Sequence, residues 1–315
     1  MADSGPLVSI GLPTYNRAEQ LKRAIESALA QDYPNIDVVI SDNASTDGTQ
    51  ALCEELCRRD SRVRYIRQST NSGMAGNHIA AFKHARGDYY MVLGDDDWID
   101  SSYVSTCMRV LLAEPEFAVV CGRPFLYQSD RPLSEGVITT LLQETGAERV
   151  LAYYRDVFDN VPFYGISRRA LLATVPPMRD TMAGDWIYVA SLAFLGKIKT
   201  VETTAMYKSV GTGASASVER IVQVVGLPPF QARHPVLSVL LGACKDIAWT
   251  SPVYRSSGWL GRLSLSCKVG LALARKYHLQ RVLSYRGGLL ITAIRGRLHR
   301  PPRGRSAPPS SPSKL

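Results

Sequence analysis

The sequence is poor in features that announce a function from composition alone. Its six cysteines are scattered: Cys53 and Cys57 lie one helical turn apart, but no nearby Cys or His completes a zinc set, so they read as buried thiols in a reducing compartment. No Gly-rich basic loop follows the first apolar run, which sets aside a nucleotidyltransferase built around such a loop. There is neither zinc-finger spacing nor an aromatic RNA-binding strand, so nucleic-acid binding rests on charge alone and is set aside too. The longest apolar runs, "PVLSVLLGAC" and "GGLLITAI", reach about half the length that spans a bilayer. No basic-then-apolar leader opens the chain, and the expectation is a cytoplasmic protein.

Acidic residues are nearly missing from one end. Residues 220–315 carry 16 Lys/Arg against a single acid, while residues 1–219 carry 21 Lys/Arg against 27 Asp/Glu. Two parts with different jobs follow from this asymmetry. The expected division is a catalytic domain over residues 1–217, a helical basic region over 218–300, and a disordered tail, "PPRGRSAPPSSPSKL", over 301–315.

The first half alternates two kinds of segment. "LVSIGLP", "IDVVISD", "RVRYIRQ" and "DYYMVLG" are β-branched or aromatic runs bounded by turn residues. Between them lie helical patterns: "NRAEQLKRAIESALAQDYP", with Leu21, Ile25, Ala28 and Leu29 on one face, then "TQALCEELCRR" and "GNHIAAFKHA". Asn16 followed by Glu19 fits a helix start and Pro34 a stop. The alternation predicts an α/β fold, a mainly parallel sheet with helices on both faces, and such sheets bind ligands at the carboxyl ends of their strands. Further on, a helix through Met108 to Leu112, a strand "FAVVCGRPFLY", a strand "VPFYGISRR", a helix around "GDWIYVASLAFLG" and a strand "IKTVETTAMYKS" are expected.

Three polar stretches would therefore gather at one rim: Pro13 to Asn16, Asp42-Asn43, and the triplet Asp95-Asp96-Asp97 that ends "GDYYMVLGDDD". Adjacent carboxylates at a buried rim repel one another unless a cation neutralises them. A hard divalent ion, Mn²⁺ or Mg²⁺, takes carboxylate oxygens and completes its shell with substrate phosphates. A solvated loop is the alternative, and the position after a buried strand argues against it.

With those residues in view, "VSIGLPTYNR", "DVVISDNASTDGT", "NSGMAGNHIAAFKHARGDYYMVLGDDDW" and "GDWIYVASLAFLGK" resemble, in order and spacing, the motifs of family 2 glycosyltransferases of the GT-A fold, over roughly residues 7 to 210. The resemblance implies a GT-A Rossmann-like sheet and an inverting transferase that uses a nucleotide-diphosphate sugar and a divalent metal. It implies that Pro13 and Tyr15 border the nucleobase, that Asp42 hydrogen-bonds it, that Asp95 faces the ribose or base, that Asp96 belongs to the nucleotide-sugar-binding set, and that Asp97 holds the metal bridging the diphosphate. Asp185 takes the place of the general base; a helix N-cap or first-turn acid is the structural alternative for it. The implied acceptor is a glycan or a lipid-linked precursor in surface polysaccharide biosynthesis. Relatives often carry a His in a stretch comparable to "YKSVGTGAS", where this chain has none.

For the basic end, the recurrence of Leu, Val and Ile among Arg262, Lys268, Arg275, Lys276, Arg281, Arg286, Arg295, Arg297 and Arg300, with Trp259 and Tyr285 as interfacial aromatics, leads to an amphipathic helical region resting on an anionic membrane surface, peripheral at the inner face of the cell membrane. A helical lid with a solvated basic face is the alternative.

Overall fold

The structure is a computed structural model that describes residues 5–128, 130–211 and 218–286. The expected tail at 301–315 and the last part of the basic region, 287–300, lie outside the described residues.

The chain begins β1 (Val8–Thr14), α1 (Ala18–Leu29), β2 (Ile36–Asp42), α2 (Thr49–Arg59), β3 (Val63–Arg67), α3 (Gly73–His84) and β4 (Tyr89–Val92). β1, β2, β3 and β4 pair in parallel in the order β3-β2-β1-β4. Their apolar content explains why they sit inside: Val8, Ile10, Leu12, Val38, Val39 and Ile40 are all fully buried. α1 packs with Leu21, Ala24, Ile25 and Ala28, a spacing of three and four residues that keeps one face on the sheet. β1 and β2 run in register so that Thr14 stands beside Asp42 at their carboxyl ends, and Leu93 N–H continues β4 by donating to Gly11 O (2.9 Å). The strands therefore end together.

Beyond the acidic triplet come β5 (Trp98–Ile99), α4 (Tyr103–Ala113), β6 (Phe117–Gln128), β7 (Arg131–Glu135), α5 (Gly146–Asp156), β8 (Ser167–Arg168), α6 (Arg169–Leu172), α7 (Gly184–Leu195) and β9 (Lys197–Ser209). β8 joins the first sheet antiparallel to β4, and a second sheet has the order β5-β9-β6-β7. A bridge between Val120 and Ile166 links the two. The C-terminal part is helical: α8 (Val218–Val225), α9 (Pro229–Arg233), α10 (Pro235–Lys245), a π-turn Asp246–Thr250, a 3-10 turn Pro252–Ser257, and α11 (Gly258–Arg286). One compact unit extends to Lys276 and a second begins at Tyr277. The unit that holds the sheets thus continues well past residue 217.

Several sequence expectations need correction. Asn16 does not cap α1: it takes a left-handed conformation (φ 54°), Arg17 is the N-cap residue, and Asn16 Oδ1 instead accepts from Thr46 N–H (2.7 Å). α1 ends at Leu29, before Pro34 is reached. "VPFYGISRR" is not one strand, because Pro162 opens a 3-10 turn, Val161–Tyr164, and only Ser167–Arg168 pairs as strand. α5 is an element the apolar pattern did not suggest. Its start carries a capping box, Thr145 accepting from Glu148 N–H while the Glu148 side chain accepts from Thr145 N–H.

Candidate active site

The acidic triplet is held by its neighbours on three sides. Gly94 opens the turn, and a Cβ there would stand 2.5 Å from Asp97 Oδ2, so a larger residue would push that carboxylate aside. Asp95 Oδ2 accepts from Thr14 Oγ1 (2.9 Å), which ties the triplet to the end of β1. Arg17 then places one guanidinium nitrogen, Nη1, 3.0 Å from Asp95 Oδ1 and 2.8 Å from Asp96 Oδ2. On the other side the end of β9 clamps the turn, Ser209 N–H donating to Asp97 Oδ1 (2.8 Å) and Ser209 Oγ to Asp96 O (2.6 Å). Trp98 completes the clamp by stacking on Tyr207 (5.4 Å between ring centres) under the Arg23 guanidinium. A single protein cation thus bridges two of the three carboxylates and offsets one of their charges, and it does not reach the third.

That third carboxylate is Asp97. It is 2% exposed, and among the described residues its Oδ2 has no hydrogen-bond donor. Burial, then the charge of Asp96, pushes it up to about 7, against the opposing pull of Lys208. Burial also pushes Asp95 up to about 6 despite Arg17. A largely buried carboxylate with one oxygen free of donors can take up either a proton or a cation there. A hard oxygen donor of this kind suits Mn²⁺ or Mg²⁺, which is commonly held by one or two carboxylates and otherwise by phosphates and water. Among the described residues no group of three or more His, Cys, Asp or Glu is gathered as a ligand set, so Asp97 Oδ2 is the single open protein oxygen that could serve such an ion.

Tyr15 is 43% exposed at the mouth, beside Pro13, where its ring is free to stack on a planar ligand. Asp42 is fully buried: Oδ2 accepts from Tyr65 OH (2.5 Å), Oδ1 accepts from Ser45 N–H (2.9 Å), and Arg67 stands at 3.7 Å. It holds the 43–47 loop against the rim, with two of its four lone pairs engaged. Asn77 does similar work for the strand ends, donating to Thr14 O (3.0 Å) and accepting from Ser41 Oγ (2.7 Å). His78 lies against the Phe163 ring, and burial pushes it down to about 4, so it is a neutral packing group.

Asp185 stands in the first turn of α7, whose N-cap is Ala183 in a left-handed conformation (φ 55°) with no side-chain cap bond. Its own partner is Asn160, whose Nδ2 donates to Asp185 Oδ2 (2.8 Å) while its Oδ1 accepts from Tyr153 OH (2.6 Å). Asn160 is itself left-handed (φ 50°) and 2% exposed, so Tyr153 on α5 and Asn160 hold the carboxylate from behind. The far end of α7 is fixed as well: buried Arg149 donates to Ala193 O (2.7 Å) and Phe194 O (3.0 Å). Helix α7 is anchored at both ends.

Tyr164 connects the two carboxylate groups. Burial first, then the charges of Asp97, Asp96, Asp185 and Asp95, raise its hydroxyl well above the usual phenol range, so all four carboxylates lie within charge range of it. Lys208 lies on its ring face (5.0 Å) and donates to Asp159 O (2.7 Å). The structure therefore gathers Asp95, Asp96 and Asp97 at the strand-end rim with Pro13 and Asp42, and Asp185 lies within charge range of the same Tyr164 hydroxyl as the triplet. Sequence reasoning gave no role to Arg17, Asn160, Tyr164, Lys208 or Ser209. Arg17 was visible, since it follows the strand-end motif "PTYN" directly, and Lys208 falls in the stretch where relatives carry His. Nothing in the sequence pairs Asn160 with Asp185.

Comparison with known proteins gives a consistent picture. The family model described as Glycosyl transferase family 2 matches residues 9–175. The putative colanic acid biosynthesis glycosyl transferase WcaA of Escherichia coli strain K12 is 32% identical over 165 residues, 51% of this chain and 57% of that protein. The Escherichia coli UDP-Glc:alpha-D-GlcNAc-diphosphoundecaprenol beta-1,3-glucosyltransferase WfaP is 27% identical over 195 residues, 56% of this chain and 76% of that protein. Against three of the curated relatives the chain spans between 21% and 57% of their length. Among solved structures, the mannosyltransferase PcManGT from Pyrobaculum calidifontis, in complex with GDP-Man and Mn²⁺, superposes with a TM-score of 0.55 at 18% identity, over 94% of this chain and 81% of that one. The likeness at that identity establishes a shared fold.

Proposed function

Because the chain belongs to glycosyl transferase family 2, we propose that it moves one sugar, with inversion, from a nucleotide-diphosphate sugar to a hydroxyl of a glycan or lipid-linked acceptor. The observation that carries this reading is the Asp97 carboxylate, 2% exposed and with no donor to its Oδ2 among the described residues, within charge range of the same Tyr164 hydroxyl as Asp185. Pro13, Tyr15 and Asp42 border the nucleobase, Tyr15 by stacking, and Asp95 with Asp96 faces the ribose side, kept in place by Arg17. Asp97 holds a divalent ion, Mn²⁺ or Mg²⁺, which when bound supplies positive charge to the diphosphate leaving group. Asp185 takes the proton from the acceptor hydroxyl through the carboxylate edge that Asn160 leaves open. The acceptor oxygen bonds to the anomeric carbon as the bond to the diphosphate oxygen breaks on the opposite face, and a single displacement of this kind inverts the configuration. Lys208, a point charge near Asp97, stands where it can attract the departing diphosphate.

An acceptor of this kind fits an enzyme of surface polysaccharide synthesis. WfaP, by its name, glucosylates a diphosphoundecaprenol-linked sugar. An acceptor of that class lies at a membrane, and the basic region from residue 218 onward fits a peripheral position at the inner face of the cell membrane.

A thermal-shift series tests the donor and metal assignments together. Nucleotide diphosphates raise the melting temperature in the presence of Mn²⁺ and much less in its absence, since a ligand bound only by the folded state stabilises it. The pH dependence has a defined sign. Between the usual carboxylate range and about 7 the folded protein holds a proton on Asp97 that the unfolded chain has released, so ligand-free stability falls as pH rises through that window. The metal must displace this proton, so its affinity rises about tenfold per pH unit up to about 7 and levels off above it. Equal shifts with and without Mn²⁺ at every pH would remove the metal from the account.

A further inference from the structure

Helices α10 and α11 carry apolar side chains on their outer as well as their inner faces. α11 buries Leu265, Val269 and Leu273 against the body of the protein, yet Leu260 is 80% exposed and Leu271 59% exposed on the opposite face. Positions 260, 264, 267, 271 and 274 share that outer face at helical spacing, and they read Leu, Ser, Cys, Leu, Ala. α10 repeats the pattern, burying Val239 and Ala243 and exposing Leu237 and Leu241. At the elbow between the helices Trp249 and Trp259 meet edge to face, with centres 6.5 Å apart, and both stay more than half exposed, at 60% and 55%. The sequence led to one apolar and one basic face, but the apolar residues of α11 are not segregated in that way. α11 therefore presents exposed leucines among exposed cations, Lys268 and Arg275. A contiguous exposed apolar patch marks a contact surface.

Charge and shape select the partner. Residues 220–276 hold eight Lys/Arg against one acid, Asp246, and that acid is buried and engaged by Thr250 Oγ1 (2.9 Å). Lys245, Arg255, Lys268 and Arg275 stand exposed on the same two helices and the turn between them. A net charge of +7 on this stretch opposes pairing with a second copy of the same surface and favours an anionic one. No single helix among the described residues is long and apolar enough to cross a membrane. The pair Pro235–Thr250 and Pro252–His278 meets that standard only jointly, and it is bent by 64°. A bent apolar pair with aromatics at its elbow and cations along its helices is suited to a shallow seat.

We infer that the α10–α11 elbow seats its Trp249, Trp259 and Leu260 side chains in the headgroup and upper acyl layer of an anionic membrane leaflet, without spanning it. This deepens the functional reading, since it would bring the cleft to a lipid-linked acceptor. Vesicle binding is measured without donor or acceptor, so its failure and a failure of the transferase reading are distinguishable.

The test uses the full chain and vesicles of phosphatidylcholine with or without phosphatidylglycerol. The protein co-sediments with the anionic vesicles, and its tryptophan emission shifts to the blue as the indoles leave water. The triple variant Trp249→Ser/Trp259→Ser/Leu260→Ser, in which all three positions are surface-exposed, loses vesicle affinity by about tenfold or more and with it the emission shift. Its melting curve is compared with that of the parent, and Leu241→Ser, on the exposed face of α10, gives a second, independent loss. Lys268→Glu/Arg275→Glu reduces binding at low salt. Sedimentation of the triple variant equal to that of the parent would overturn the inference. So would binding with no emission shift, which means contact through charge alone, or a parent protein that ignores vesicles and forms a dimer which the triple variant dissolves.

Discussion

Asp97→Asn removes metal-dependent nucleotide binding and lowers turnover by about 10³-fold or more, the loss expected when several kcal/mol of charge stabilisation on a leaving group disappears. The fold survives. An asparagine at this position can still accept from Ser209 N–H through its amide oxygen, as Asp97 Oδ1 does at 2.8 Å, while its NH₂ group points where Oδ2 stood and repels a cation. Because Asp97 is buried and resists ionisation, the substitution also relieves a cost at alkaline pH, so the ligand-free variant melts at the same or a higher temperature above pH 7. Calorimetric titration with Mn²⁺ and a nucleotide diphosphate reads the binding, and a melting curve reads the fold. A variant that binds Mn²⁺ and nucleotide as tightly as its parent would show that the metal sits elsewhere. Parent activity that persists unchanged in EDTA would instead leave Arg17 and Lys208 as the cations serving the diphosphate.

Asp185→Asn separates chemistry from binding. Asparagine keeps the shape and still accepts from Asn160 Nδ2, so α7 keeps its start and the donor side of the cleft is untouched. What disappears is the carboxylate that removes the acceptor proton, and the rate falls by roughly 10²–10⁴-fold, the range for losing a general base. Donor affinity and its Mn²⁺ dependence stay within about twofold, since no contact made only in the transition state contributes to ground-state binding. Steady-state rates against donor and acceptor, with calorimetry for the donor, read both quantities. If donor affinity collapses along with the rate, Asp185 is a structural residue of the α7 start. The geometry speaks against that, because Ala183 is the cap and Asp185 makes no backbone cap bond.

The four parallel strands of the first sheet were legible because each carries its own signal. "IDVVISD" and "TQALCEELCRR" coincide with β2 and α2 residue for residue, the one fully buried and β-branched, the other a clear helical run. The strand-end rule then placed Asp42 and the triplet at one rim, where Thr14 Oγ1 does meet Asp95 at 2.9 Å. The second half was harder to read for a physical reason. Trp98–Ile99 and Ser167–Arg168 are strands of two residues, held by partners more than 70 residues away rather than by any periodicity of their own. The "VPFYGISRR" run looked like a strand because its residues favour strands, and Pro162 overrides them by removing a donor. α5 could have been found from Thr145 and Glu148, since a Thr followed three residues later by a Glu marks a capping box.

Within the cleft, charge was legible and its compensation was not. Three adjacent aspartates demand a cation, and the sequence pointed to a metal alone. The structure divides the demand: Arg17 serves Asp95 and Asp96, and Asp97 remains. Asn160 shows the same limit. A left-handed asparagine 25 residues from the acid it holds leaves no pattern in one dimension, and only the packing of α5 against α7 brings the two together.

The central claim is a division of labour, with Asp97 at the diphosphate and Asp185 at the acceptor. Anomalous diffraction at the manganese edge, from crystals grown with Mn²⁺ and a nucleotide diphosphate, tests it most directly. The account predicts one peak bonded to Asp97 Oδ2 and to diphosphate oxygens, at the roughly 2.0–2.2 Å expected for a small hard cation, with Asp185 across the cleft and free of metal. A peak on Asp185, or a diphosphate held by Arg17 and Lys208 with no peak beside Asp97, would contradict it.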